Sequence, residues 1–162
     1  MRVRVIGIGQ PMAGDDGVGL AVVRHLRKLA LPERVELMET ADPSGLPPLL
    51  EDADLVVLVD AVAGAGRPGR VLHLTPAGLQ ADGPCGSSTH GLGVGWAIEL
   101  ARTLSPDRIP WRIDLVGISI ERPRCLSEGL SAAVAAAVPR AAEEVACILE
   151  EAACPSALIN AG

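Results

Sequence analysis

Short apolar runs alternate along this chain with stretches whose apolar residues recur at helical spacing. Val3–Ile8 is apolar except for Arg4 and predicts a first strand. A glycine-rich turn follows over Gly7–Gly14. Val18, Val22, Leu26 and Leu29 then recur on one face across residues 16–30, which predicts a helix stopped by Pro32. Val35–Glu39 predicts a second strand, and Gly45–Glu51 a short helix behind Pro43-Ser44. Leu55–Val59 is apolar on both faces, as a central parallel strand covered by helices on either side would be.

Asp60 closes that run, and the exit stretch Ala61–Gly69 is too short to hold a crossover helix. The next strand, Arg70–Leu74, is therefore not expected to lie parallel beside the one before it. Residues 76–89 are rich in Gly, Pro and Ser, and a loop of that length in a compact domain is usually functional or mobile. Gly91–Thr103 predicts a helix, Ile113–Ile118 a fifth strand, and residues 129–152 an alanine-rich helix. Pro139 lacks a backbone donor, so two segments or a kink are expected there, with Pro139 opening the second. The pattern describes an α/β sandwich: one domain over residues 1–154 and a frayed tail over 155–162.

A length of 162 residues fits one domain that folds without disulfide or metal. Hydrophobic residues at 49% and charged residues at 21% exclude a disordered chain. The net charge of −6, with no basic run longer than Arg24-His25-Leu26-Arg27-Lys28, argues against a nucleic-acid partner. Two Trp without Phe or Tyr supply no base-stacking platform. No stretch approaches the ~18 apolar residues of a membrane span, and the first residues read as a strand rather than a secretion signal. No membrane partner and a cytoplasmic location are expected. Cys85, Cys125, Cys147 and Cys154 are widely spaced with no Cys-x-x-Cys, against zinc-finger and dithiol chemistry. Cys147 is expected to be a small core residue on an apolar helix face.

Three polar sites stand where strands hand over to helices. They are Gly14-Asp15-Asp16-Gly17-Val18-Gly19 after the first strand, Asp60 at the end of the third, and His90 in Ser88-Thr89-His90-Gly91. In a parallel α/β sheet all three belong to the carboxyl edge, where ligands bind. Each also has a plainer reading. Asp15 or Asp16 could cap the first helix, Asp60 could be a solvated turn residue, and His90 could be a surface residue at a helix start. His25, inside the first helix, and His73, inside the edge strand, read as structural. Together, Asp16, Asp60 and His90 bring two carboxylates and an imidazole, which balance a divalent cation and leave a coordination position open. These donors suit nickel, zinc or manganese.

Other chemistries fit less well. A dinucleotide fingerprint would need glycine at position 12, which is Met12, and Asp15 and Asp16 would repel a pyrophosphate. Ser87 or Ser88 with His90 lacks a nucleophile elbow, and Cys85 lacks a supporting motif.

The segments Gly7-Ile8-Gly9, Pro11-Met12, Gly14–Gly19, Val59-Asp60-Ala61, Ser88–Gly91 and Val116-Gly117-Ile118 together resemble the NiFe-hydrogenase maturation proteases, colinearly over roughly residues 1–150. The resemblance implies a three-layer α/β/α fold of strand order 2-1-3-5-4 with strand 4 antiparallel. It implies an endopeptidase that removes a C-terminal extension from the hydrogenase large-subunit precursor, or a similar nickel metalloprotein, once nickel is inserted. The nickel is presented by the substrate and serves for recognition, and no organic cofactor is implied. Asp16, Asp60 and His90 match the family's metal-contacting acid, acid and histidine. Two positions depart from the pattern. Gln10 replaces an Asn, and Glu39–Gly45 replaces an acidic-Gly-Gly-Thr stretch implicated in substrate choice. A metallohydrolase with its own divalent ion, or a metal- or protein-binding module without activity, are the alternatives.

Overall fold

The apolar runs pair into one sheet. In a computed structural model, which describes residues 1–75, 91–121 and 128–153, the strands are β1 (Val3–Ile8), β2 (Val35–Thr40), β3 (Leu55–Ala63), β4 (Val71–Leu74) and β5 (Arg112–Ile120). Their order is β2-β1-β3-β5-β4, with β4 antiparallel to β5 and the other pairs parallel. As the short connection after β3 predicts, β4 is not a parallel neighbour of β3: it lies beyond β5 and pairs antiparallel with it. Among the described residues the α-helices are α1 (Val18–Leu26), α2 (Leu46–Leu50), α3 (Gly91–Leu104) and α4 (Ala132–Ala153).

Alternation along the strands divides the core in two. Val3, Val5, Val57, Val59, Val116 and Ile118 point to the face covered by α1 and α4. Ile6, Ile8, Val56, Leu58, Ile113 and Leu115 point to the face covered by α2 and α3. Every residue of β3 is buried, as a strand covered on both faces requires. Each fully buried Val, Leu or Ile contributes about 1.5–3 kcal/mol, so the sheet centre is the rigid base on which its rim is built.

Several expectations change. Asp60 does not close β3: β1 stops at Ile8, but β5 runs on to Ile120, so Asp60–Ala63 pair with Gly117–Ile120. Ala61–Ala63 is therefore strand, not exit loop. Helix α1 ends at Leu26, well before Pro32, and unwinds through turns in which Arg27 donates to Val23 O and Leu29 to Leu26 O. The alanine-rich helix is one element, with Pro139 inside it rather than opening a second. Pro139 and Ala135, whose carbonyl would have received the missing N–H, both lie on the exposed side, where water can serve that carbonyl. Cys147 is exposed, not core, because the buried stripe of α4 runs through Val145, Ile148 and Leu149 on the opposite side. The 76–89 loop, the other three cysteines and the 155–162 tail lie outside the described residues.

Candidate functional site

Among the described residues four polar or charged side chains are buried: Asp16, Asp60, Asp114 and Ser119. Asp114 is held by Arg112 Nε at 2.6 Å and His73 Nε2 at 2.9 Å, and Ser119 Oγ donates to Gly66 O at 3.2 Å. These two are tied to the edge strand and its neighbours, and His73 is part of that structural network, as expected. The other two stand at the carboxyl rim.

Asp60 is fully buried on β3, on the same sheet face as Val56 and Leu58. Its Oδ1 accepts the N–H of Ala61 at 2.8 Å. Helix α3 covers this face and begins at Gly91, directly after His90 in the sequence. His90 itself lies outside the described residues.

Asp16 is 6% exposed and belongs to a 3-10 turn, Gly14–Gly17, between β1 and α1. The turn packs against β3. Its approach to β1 depends on Gly9, whose φ of +148° suits glycine and where a Cβ would strike the Asp16 carbonyl. Asp16 Oδ2 accepts the backbone N–H of Gln10 at 3.3 Å. That bond uses only main chain at position 10, so replacing Asn by Gln there leaves it available. Asp15 does not cap α1; its two carboxylate oxygens accept from Ser131. Asp16, not Asp15, belongs to the trio read from the sequence, and Asp16 is the acid that is buried. The turn turns one inward and the other toward α4.

The fold thus brings Asp16 and Asp60 to one edge, on segments packed together. Among the described residues no three His, Cys, Asp or Glu side chains group to hold a metal ion, and the third candidate, His90, is outside them. Beside this edge, Asp42 Oδ1 accepts from Ser44 N at 2.8 Å, and Pro43 packs so tightly on α3 that a Cβ at Gly93 would collide with it. The departing Glu39–Gly45 segment is therefore an ordered lip against the helix that follows His90.

A family model described as hydrogenase maturation protease, HycI, matches residues 20–148. The chain belongs to the hydrogenase maturation protease family. A provisionally assigned hydrogenase maturation protease of Methanocaldococcus jannaschii is 36% identical over 73 residues, which are 43% of this chain; the match spans 47% of that protein's length, about half. The hydrogenase maturating endopeptidase HybD of Escherichia coli has the same fold, with a TM-score of 0.77, 27% identity and 94% of each chain covered. A hydrogenase 2 maturation peptidase from a Thaumarchaeota archaeon is 30% identical over 92% of this chain and 98% of its own, with a TM-score of 0.67. The segment of this maturation protease family member that matches the model includes positions 60 and 90, while Asp16 lies just before it.

Proposed function

We propose that the chain is an endopeptidase that removes a C-terminal extension from a hydrogenase large-subunit precursor, or a similar nickel metalloprotein, after nickel insertion. The nickel belongs to the substrate and marks it as ready; no organic cofactor, nucleic acid or membrane takes part, and the reaction is cytoplasmic. The observation that carries this reading is the burial of two carboxylates, Asp16 and Asp60, at one rim of a sheet in a chain of this family.

Each carboxylate accepts a backbone N–H, Asp16 from Gln10 and Asp60 from Ala61, which fixes how it faces the rim. A divalent ion carried in by the substrate is the ligand such oxygen donors take. Asp16, Asp60 and a neutral His90 bring a charge of −2 and leave positions for the substrate's own ligands. Their task is to fix the metal-bearing segment so that the scissile peptide lies in one place. Hydrolysis then adds water across the C–N bond, the hydroxyl to the acyl carbon and the proton to the departing amine.

Incubation with a nickel-loaded large-subunit precursor, read by mass spectrometry, tests the reading. Asp16→Asn and His90→Ala are expected to slow processing about 100-fold or more with circular dichroism unchanged. A His90→Ala protein that trims at the wild-type rate overturns the assignment. The purified protein is expected to carry little metal. Stoichiometric zinc or manganese with cleavage of small peptides would instead identify a metallohydrolase with its own ion, and absence of any processed precursor would identify a binding module.

A further inference from the structure

Asp15 and Asp16 are neighbours with different destinations. Ser131 N donates to Asp15 Oδ1 at 2.6 Å, and Ser131 Oγ donates to Asp15 Oδ2 at 2.9 Å, across 116 positions of sequence. Ser131 stands immediately before α4, and its carbonyl accepts the first helical bond, from Ala135 N at 2.8 Å. In a self-contained capping box the third helical residue is an acid or amide that reaches back to the cap's N–H. Here that residue is Val134, which is buried in the core, and the first turn of α4 holds no acid. Asp15 provides the missing carboxylate from elsewhere in the chain, at the positive end of a 22-residue helix.

Three bonds within and beside the turn are longer. Ala13 N to Gln10 O and Asp16 N to Ala13 O are both 3.2 Å, and Gln10 N to Asp16 Oδ2 is 3.3 Å. They shape the turn locally, whereas the Asp15 pair ties it to the end of a helix packed on the sheet. We infer that Asp15 is a positioning residue: by clamping the turn to Ser131 it fixes the Asp16 carboxylate at the rim. This rests on the role given to Asp16 in the proposed function. Asp15 itself touches neither substrate nor metal.

The test compares Asp15→Ala, Ser131→Ala, the double variant and Ser131→Thr with nickel-loaded precursor, each rate taken per folded molecule. Asp15→Ala is expected to lower kcat about 10-fold with KM within about twofold. Ser131→Ala keeps one of the two bonds and is expected to lose about threefold. The double variant should be no worse than Asp15→Ala, and Ser131→Thr, which retains the hydroxyl, should keep the wild-type rate. A second readout needs no activity: amide exchange at Gln10, whose N–H reports the Asp16 carboxylate, is expected to accelerate in Asp15→Ala. Wild-type kcat and unchanged Gln10 exchange in Asp15→Ala, with only the melting point lowered, would make Asp15 a mere helix cap and overturn the inference. If Asp16→Asn abolishes processing in the same series, the function stands and only the positioning role falls. If Asp16→Asn processes at the wild-type rate, the function falls and takes this inference with it.

Discussion

Gly19 has no room for a side chain. A Cβ there would lie inside the 3.0 Å limit from the carbonyl oxygens of Ile8 and Val59, so the first turn of α1 rests on the backbone of β1 and β3. Neither atom can give way, since Ile8 and Val59 are themselves fully buried on central strands. Gly19→Ala is therefore expected to cost roughly 3 kcal/mol or more, beyond the usual effect of a surface change, and urea unfolding would measure it. A loss under about 1 kcal/mol would mean that α1 slides freely over the sheet. The same contact sets where the preceding turn can sit, so a glycine three positions after Asp16 helps bring that acid to the rim. The motif Gly14–Gly19 was legible in the sequence as chemistry after a strand, and both Asp16 and Asp60 were legible as candidates. Asp16 is the acid taken into the trio, but the physical reason that it, and not Asp15, looks inward was not legible. Successive residues on a 3-10 turn point about a third of a turn apart, and packing against β3 together with the Asp15–Ser131 hydrogen bonds decides which one is buried.

At the scale of elements, strands were legible from unbroken apolar runs, and their ends were not. A polar Asp60 after five apolar residues reads as a boundary, yet β3 continues because β5 offers four more partners beyond the last β1–β3 pair, Gly7 with Val59. Pairing with a distant strand leaves no local trace in the sequence. Helix interiors misled in a similar way. Pro139 reads as a break, but it sits on the exposed side of α4, where the carbonyl it fails to serve is hydrated rather than stranded in the core. That placement predicts a gain on replacement. Pro139→Ala restores one helical N–H and removes the ring's clash with the preceding turn, worth ~3 kcal/mol in a typical helix interior. A more flexible unfolded chain returns about 1 kcal/mol of this. A net stabilisation of about 1–2 kcal/mol is expected, visible as a higher melting temperature, and an unchanged or lower one would show that the helix bends around the ring at no cost.

Across the whole molecule, the two rims of the sheet carry different charge arrangements. The carboxyl rim holds the buried Asp16 and Asp60. At the amino rim, arginines and carboxylates pair near the starts of the strands. Arg4 Nε meets Glu36 Oε2 at 2.7 Å across the β1–β2 register, and Arg108 binds Asp52 through Nε and a terminal nitrogen while also meeting Glu51 at 2.7 Å. The hydrogen bond from Arg4 holds the Glu36 carboxyl below its ordinary range against the opposing effect of burial, and the charges of Arg4 and Arg2 add lesser contributions in the same downward direction. The hydrogen bond from Arg108 does the same for Asp52 and raises the Arg108 guanidinium in return. A carboxyl whose folded pKa is depressed adds stability above its unfolded pKa, and that stability is lost as pH falls through the lower folded value. Arg108 and Asp52 are exposed and Glu36 is half-exposed beside a mostly buried Arg4, so the contribution is modest and partly screened by salt. The urea midpoint is accordingly expected to hold down to about pH 5 and to decline below it. The decline should be shallower in Glu36→Gln and in 1 M salt. Because Glu36 lies at the rim away from Asp16 and Asp60, Glu36→Gln is expected to process precursor at the wild-type rate at neutral pH. An acid decline of full steepness in Glu36→Gln would show that the Arg4 pair adds nothing to folding, and a slowed rate would show that the two rims are coupled through the sheet.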